Sequence, residues 1–138
     1  MSVNDVSEAR VTGVTWGPDS PGAARWERAC ALSDLFPERG AAALFGDVQV
    51  ALFRLRGGQV YAVQNLDPFS GAFVMSRGIV GTRAGVPTVA APVYKQVFSL
   101  VTGECLAAAD KIPREGLPPD LTIYEVEIRD GVVHVGLP

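Results

Sequence analysis

One histidine and two cysteines in 138 residues leave little from which to build metal or nucleophile chemistry. Cys30 and Cys105 are far apart in the chain and show neither metal-ligand spacing nor a disulfide framework. Both are expected as reduced, partly buried thiols that pack as small hydrophobes. His134 lies in Val132-Val133-His134-Val135, where period-two alternation groups it with Val132 and Gly136, opposite Val133, Val135 and Leu137. A solvent-side strand position follows. A tetrahedral zinc site, a Cys-His pair, a Ser-His-Asp triad or a two-histidine iron site would each need partners that this chain barely supplies. Long hydrophobic runs are missing too: none approaches the roughly 18 residues that cross a bilayer. Asp5 and Glu8 stand where a signal peptide would be basic and then apolar, so the expected location is cytoplasmic, with no membrane partner. The 12 basic and 15 acidic residues are scattered, for a net charge of −3, and form no stripe that could neutralise phosphates. Nucleic acid is excluded as a partner on that ground.

What the chain does have is a core-forming composition, 48% apolar and 20% charged, at a length that suits one domain. Residues 1–25 are polar, are punctuated by Gly13, Gly17, Pro18, Pro21 and Gly22, and read as a flexible arm, leaving 26–138 as the domain. Trp26–Cys30, Ala41–Phe45, Val48–Leu55 and Gln59–Gln64 read as strands, with a short turn over Leu32–Phe36. Gly57-Gly58 supplies positive φ for a hairpin. From Asn65 to Pro87 the pattern predicts a long loop excursion with a short strand at Ala72–Met75. Thr88–Val93 and Gln96–Val101 follow as strands joined by a two-residue tip, Tyr94-Lys95, and Thr102-Gly103-Glu104 turns the chain again. Ala107–Lys111 reads as one helical turn before Pro113, Pro118 and Pro119, among solvated Asp110, Glu115 and Asp120. Ile123–Ile128 and Val132–Leu137 flank Asp130-Gly131, a strong hairpin signal. About nine short strands and almost no amphipathic helix predict an all-β sandwich or partly open barrel. The glycines of Gly78-Ile79-Val80-Gly81 and Gly85 do not make a phosphate loop, because no Lys-Ser/Thr and no helix follow.

The order of segments carries a resemblance. A strand ends at Asn65-Leu66-Asp67-Pro68, a long loop intervenes, and Ala91-Pro92-Val93-Tyr94-Lys95-Gln96-Val97-Phe98 leads to a Thr-Gly turn. That order resembles the Rieske domain, whose two loop tips hold a [2Fe–2S] cluster through two thiolates and two imidazoles. The resemblance puts Asn65 and Asp67 at the first pair of ligand positions, and Ala91 and Tyr94 at the second. All four ligands are replaced, which implies a Rieske-like fold with no iron–sulfur cluster.

The same strings, with Val50-Ala51-Leu52-Phe53-Arg54, Val60-Tyr61-Ala62-Val63-Gln64 and Ser76-Arg77-Gly78-Ile79-Val80-Gly81, look like the small-subunit family of assimilatory NAD(P)H-dependent nitrite reductases. That resemblance runs from about Trp26 to Leu137. It implies an accessory chain without catalytic, cofactor-binding or metal-binding residues. The partner it implies is a large subunit carrying flavin (FAD), an iron–sulfur cluster and sirohaem, which reduces nitrite to ammonium. Asn65, Asp67, Phe69, Arg77, Ala91, Tyr94 and Lys95, at or near the former ligand tips, are the expected docking residues, with a local reading open beside this one: Asp67 as a turn cap, Asn65 as a partner of loop amides, Phe69 as a core plug, and Arg77 and Lys95 as solvated charges. A stand-alone interaction or regulatory module on the same fold is the alternative.

Overall fold

The computed structural model describes residues 25–138, so the expected arm over residues 1–25 lies, apart from Arg25, outside the described residues. Ten strands follow in order: β1 (Arg25–Ala31), β2 (Gly40–Phe45), β3 (Val48–Arg54), β4 (Val60–Gln64), β5 (Ile79–Arg83), β6 (Val86–Ala90), β7 (Val97–Ser99), β8 (Cys105–Ala107), β9 (Ile123–Arg129) and β10 (Val132–Leu137). Six of them form an antiparallel sheet in the order β1-β10-β9-β4-β3-β2, which curls into a nearly closed barrel; β5-β6-β7-β8 form a small second sheet. The all-β expectation holds. No helix among the described residues is long and apolar enough to cross a membrane.

β3 explains how two sheets share one wall. Its alternation sends Val50 and Leu52 into the barrel, with Val60, Ala62, Val126, Val133, Val135 and Leu137. Ala51 and Phe53 point the other way, against Met75, Val89, Phe98 and Leu100 beneath the small sheet. Both faces of the strand are therefore buried, and full burial of a side chain the size of Phe53 or Phe98 stabilises by about 2–3 kcal/mol.

The barrel stays open between β1 and β2. That seam leaves a cleft of about 580 Å³ lined along both edges by Arg25, Glu27, Arg28, Ala41, Ala43 and Leu44 among others. Charged side chains on an exposed edge discourage pairing with other chains.

Turn chemistry sets the registers. Asp130 and Gly131 both take positive φ, 50° and 75°, and pair Arg129 with Val132 in a two-residue hairpin, as the sequence predicts. At the β3–β4 turn, of Gly57 and Gly58 only Gly58 has a positive φ. Three expectations are corrected. The excursion after Asn65 contains a hairpin, β5–β6, turned by Ala84 and Gly85 at φ 50° and 82°. Ala72–Met75 forms a single Leu66–Phe73 bridge and then a 3₁₀ turn, Met75–Arg77, in place of a strand. Ala109 and Asp110 take φ 56° and 60°, left-handed values that a right-handed helical turn over Ala107–Lys111 cannot contain.

Arg25 is the register partner of Leu137, and Gly136 of Glu125. The Gln64 amide donates to Thr122 O at 2.9 Å, so the two ends of the described chain lie at the rim from which the Asn65 excursion leaves.

Candidate functional site

Polar groups turned inward close the first tip. Asn65 is 3% exposed; its Oδ1 accepts the Ser76 amide at 2.8 Å, and its Nδ2 donates to Gln49 Oε1 and Phe73 O at 3.2 and 3.3 Å. Asp67, fully buried, accepts the Phe69 amide on Oδ1 and the Ser70 hydroxyl on Oδ2, both at 2.9 Å. This is an Asx turn, the use to which short polar side chains are suited in loops. Main-chain bonds from the Asp67 amide to Ala72 O and from the Gly71 amide to Asp67 O complete it, both at 2.8 Å. Phe69 is buried in the core, its ring centroid 6.1 Å from that of Phe98.

The second tip is a six-residue turn in place of the expected two-residue one. The Ala91 amide donates to Gln96 O at 2.8 Å and the Lys95 amide to Ala91 O at 3.1 Å, with Lys95 at φ 67°. Ala91 is fully buried in the core, and Tyr94 and Lys95 stand out from the turn. Gln96 is fully buried; its Nε2 donates to Ala108 O at 3.2 Å, while its Oε1 has no partner.

A third loop, residues 108–121, lies over both tips. The Arg114 amide donates to Pro68 O at 2.8 Å and its Nη1 to Ser70 O at 2.9 Å, which fastens it to the first tip. Lys111 Nζ sits 4.7 Å from the centroid of the Tyr94 ring, a cation–π contact with the second. At its end the Leu121 amide donates to Gly103 O at 2.8 Å, and Asp120 Oδ1 accepts the Cys105 amide at 2.9 Å. Asp120 is thus a structural acceptor, correcting its reading as a merely solvated charge. Sequence reasoning missed Lys111, Ile112 and Arg114. Their signal was two cations and an isoleucine in a proline-broken stretch.

Of the seven expected docking positions, Asn65, Asp67, Phe69 and Ala91 face inward, which corrects their reading as surface residues. Each closes a loop or fills the core. Arg77, Tyr94 and Lys95 are exposed. Tyr94 and Lys95 share the third loop's surface, whereas Arg77 lines a different groove with Glu38, Arg39 and Ile79.

The donors at these tips do not fit a [2Fe–2S] cluster. That cluster needs thiolates and imidazoles. Ala91 has no donor atom, Tyr94 is a phenol, and the lone pairs of Asn65 and Asp67 are engaged by loop donors. Cys30 and Cys105 are free and half-buried, on β1 and β8, and pack against different core clusters. Burial pushes both thiols up, helped by Asp34 at Cys30 and by Asp120 and Glu104 at Cys105. His134 is on the barrel wall, in register with Arg28 and Glu127; it is half-buried, with a buried, unpartnered Nδ1, where the alternation predicts an open face. Among the described residues no three His, Cys, Asp or Glu side chains group as a metal site would need.

Residues 25–136 match the family model of the Rieske-like [2Fe–2S] domain. The chain is 38% identical over 112 residues to the nitrite reductase (NADH) small subunit of Escherichia coli K12, covering 80% of this chain and 96% of that one. It also resembles the solved structure of the nitrite reductase [NAD(P)H] small subunit from Erwinia carotovora, at 36% identity and a TM-score of 0.66, covering 83% of each chain. A segment making up 11% of the nitrite reductase [NAD(P)H] large subunit of Klebsiella oxytoca is 37% identical to it over 111 residues, 80% of this chain. The chain therefore belongs to the Rieske-like [2Fe–2S] domain family and, within it, to the nitrite reductase small subunits.

Proposed function

We propose that this chain is the accessory, cluster-free small subunit of a cytoplasmic NAD(P)H-dependent nitrite reductase of nitrate and nitrite assimilation. In this reading it docks on a large subunit that carries FAD, an iron–sulfur cluster and sirohaem, where nitrite is reduced to ammonium. The observation that carries the reading is the chemistry of the tips. Asn65 and Asp67, at the first ligand positions, spend their polar atoms on Ser76, Phe69 and Ser70, and Ala91, at the second, has nothing to donate. Six-electron reduction needs bound redox carriers that ordinary side chains do not replace, so the chemistry belongs to the partner. The Klebsiella large subunit, which contains a segment like this chain, supports physical association of the two.

In this reading the domain over residues 26–138 is the docking unit. Asn65, Asp67, Phe69 and Ala91 act by holding the tips in shape, while Tyr94, Lys95 and Arg77 are exposed to a partner. The test is deletion and add-back. Removing this chain should abolish or sharply lower NADH-dependent nitrite reductase activity, and purified chain should restore it. Unchanged activity after deletion overturns the proposal, as does stoichiometric iron with acid-labile sulfide in the purified chain.

A further inference from the structure

Three ion pairs tie arginines of the barrel strands and their turns to neighbouring carboxylates: Arg25 with Glu27, Arg56 with Glu38, and Arg129 with Glu127. The cations of the tip surface carry no such pair among the described residues, a state they share with Arg28, Arg39, Arg77 and Arg83. Lys95 Nζ reaches only Pro92 O, Lys111 lies over the Tyr94 ring, and Arg114 bonds the carbonyl of Ser70. None of the three is paired with a carboxylate among the described residues, although Asp110 and Glu115 belong to the same loop.

Large apolar side chains are exposed on the same three loops. Ile112 is 85% exposed, and Phe73, Val93 and Tyr94 are 53%, 47% and 41% exposed. Ile112 follows Lys111 and precedes Arg114 by two residues, so the apolar and cationic groups interleave on one loop. Single exposed hydrophobes are ordinary, but several together with unpaired cations mark an interaction surface. An aromatic under a cation is also a common composition at binding hot spots.

We infer that the third loop, through Lys111 and Ile112 beside Tyr94, is the centre of the surface that binds the large subunit. Its complement there is an apolar depression that receives Ile112, rimmed by carboxylates that pair with Lys95, Lys111 and Arg114. This deepens the accessory-subunit reading and rests on it. Unpaired cations choose that partner chemistry: a basic or purely apolar surface would leave them desolvated and unpaired, at a cost that opposes binding.

The experiment titrates purified large subunit with the full chain and with three variants, Ile112→Asp, Lys111→Glu and Phe36→Ser. Phe36 is 67% exposed beside Pro37, which bridges to Arg54 at the opposite end of the barrel. Ile112→Asp is expected to weaken binding by about tenfold or more, and Lys111→Glu by several-fold with a flatter salt dependence. Phe36→Ser should bind like the parent. Thermal midpoints should stay together, since Ile112 makes little internal contact.

A parent chain that fails to bind the large subunit overturns the accessory reading and this surface with it. A parent that binds, with Ile112→Asp and Lys111→Glu binding equally well, overturns the surface alone. If Ile112→Asp instead dissociates copies of this chain from each other and leaves large-subunit binding intact, the surface is a self-interface and the inference is wrong.

Discussion

Asn65 holds Ser76 from eleven residues away: its Oδ1 accepts the Ser76 amide at 2.8 Å inside the first tip. That bond, beside the main-chain bond from the Met75 amide to Asn65 O, ties the end of β4 to the 3₁₀ turn Met75–Arg77 and closes the excursion between them. Asn65→Ala leaves a loop amide without its acceptor, and Gln49 and Phe73 O without their donor. The expected loss is about 2 kcal/mol, read as a lower urea midpoint at unchanged slope. Asn65→Asp keeps the acceptor but turns an oxygen on Gln49 Oε1 and Phe73 O and buries a charge, so it should lose at least as much.

Gly103 is a second anchor, for a steric reason. Its φ is +83°, and a Cβ there would lie 2.0 Å from Leu121 O, a backbone atom of the residue whose amide donates to Gly103 O. Gly103→Ala should destabilise by about 2–4 kcal/mol and speed amide exchange at Leu121. Gly85 has nearly the same φ, +82°, but open space around it. Gly85→Ala therefore should cost only about 1 kcal/mol. Equal losses at the two positions would remove the close approach as the explanation.

Glu125 makes stability depend on pH. Burial raises its carboxyl above the ordinary value of 4.5, and Glu127 adds like charge. A carboxyl raised in the folded state keeps its proton after the unfolded chain has lost it, so stability falls as pH rises from 4.5 through the raised value. Glu125→Gln should remove this slope. The variant is expected to gain stability relative to the parent between pH 4 and pH 7, and a gap between the two that stays constant with pH would refute the assignment.

Raised thiols predict slow chemistry. Cys30 and Cys105 are both pushed up by burial, so each is less ionised than a free cysteine at pH 8. Alkylation by iodoacetamide in the native chain should be slower than in urea and should accelerate with pH. Rapid native labelling at neutral pH would contradict the burial of both.

The barrel was more legible than the site. β9 and β10 follow from alternation and from Asp130-Gly131, because one buried face imposes a period of two and a two-residue turn demands positive φ. β5 escaped for the converse reason: it is exposed on nearly every residue, so no burial pattern marks it, and Ala84 is not a residue that announces a left-handed turn. Ala107–Lys111 misled because alanine's helix preference is weak beside the path a loop must take to cross two tips. At the tips the missing ligands could be read from residue types alone. The inward direction of Asp67 and Asn65 could not, since an Asx turn and an exposed carboxylate have the same sequence until the surrounding amides are placed.

The pairing of Arg25 with Leu137 has a further consequence. Strands that carry the backbone in and out lie side by side, at the rim from which the Asn65 excursion departs. A fold built this way works as a cassette: it can be spliced into a longer polypeptide without rerouting a strand.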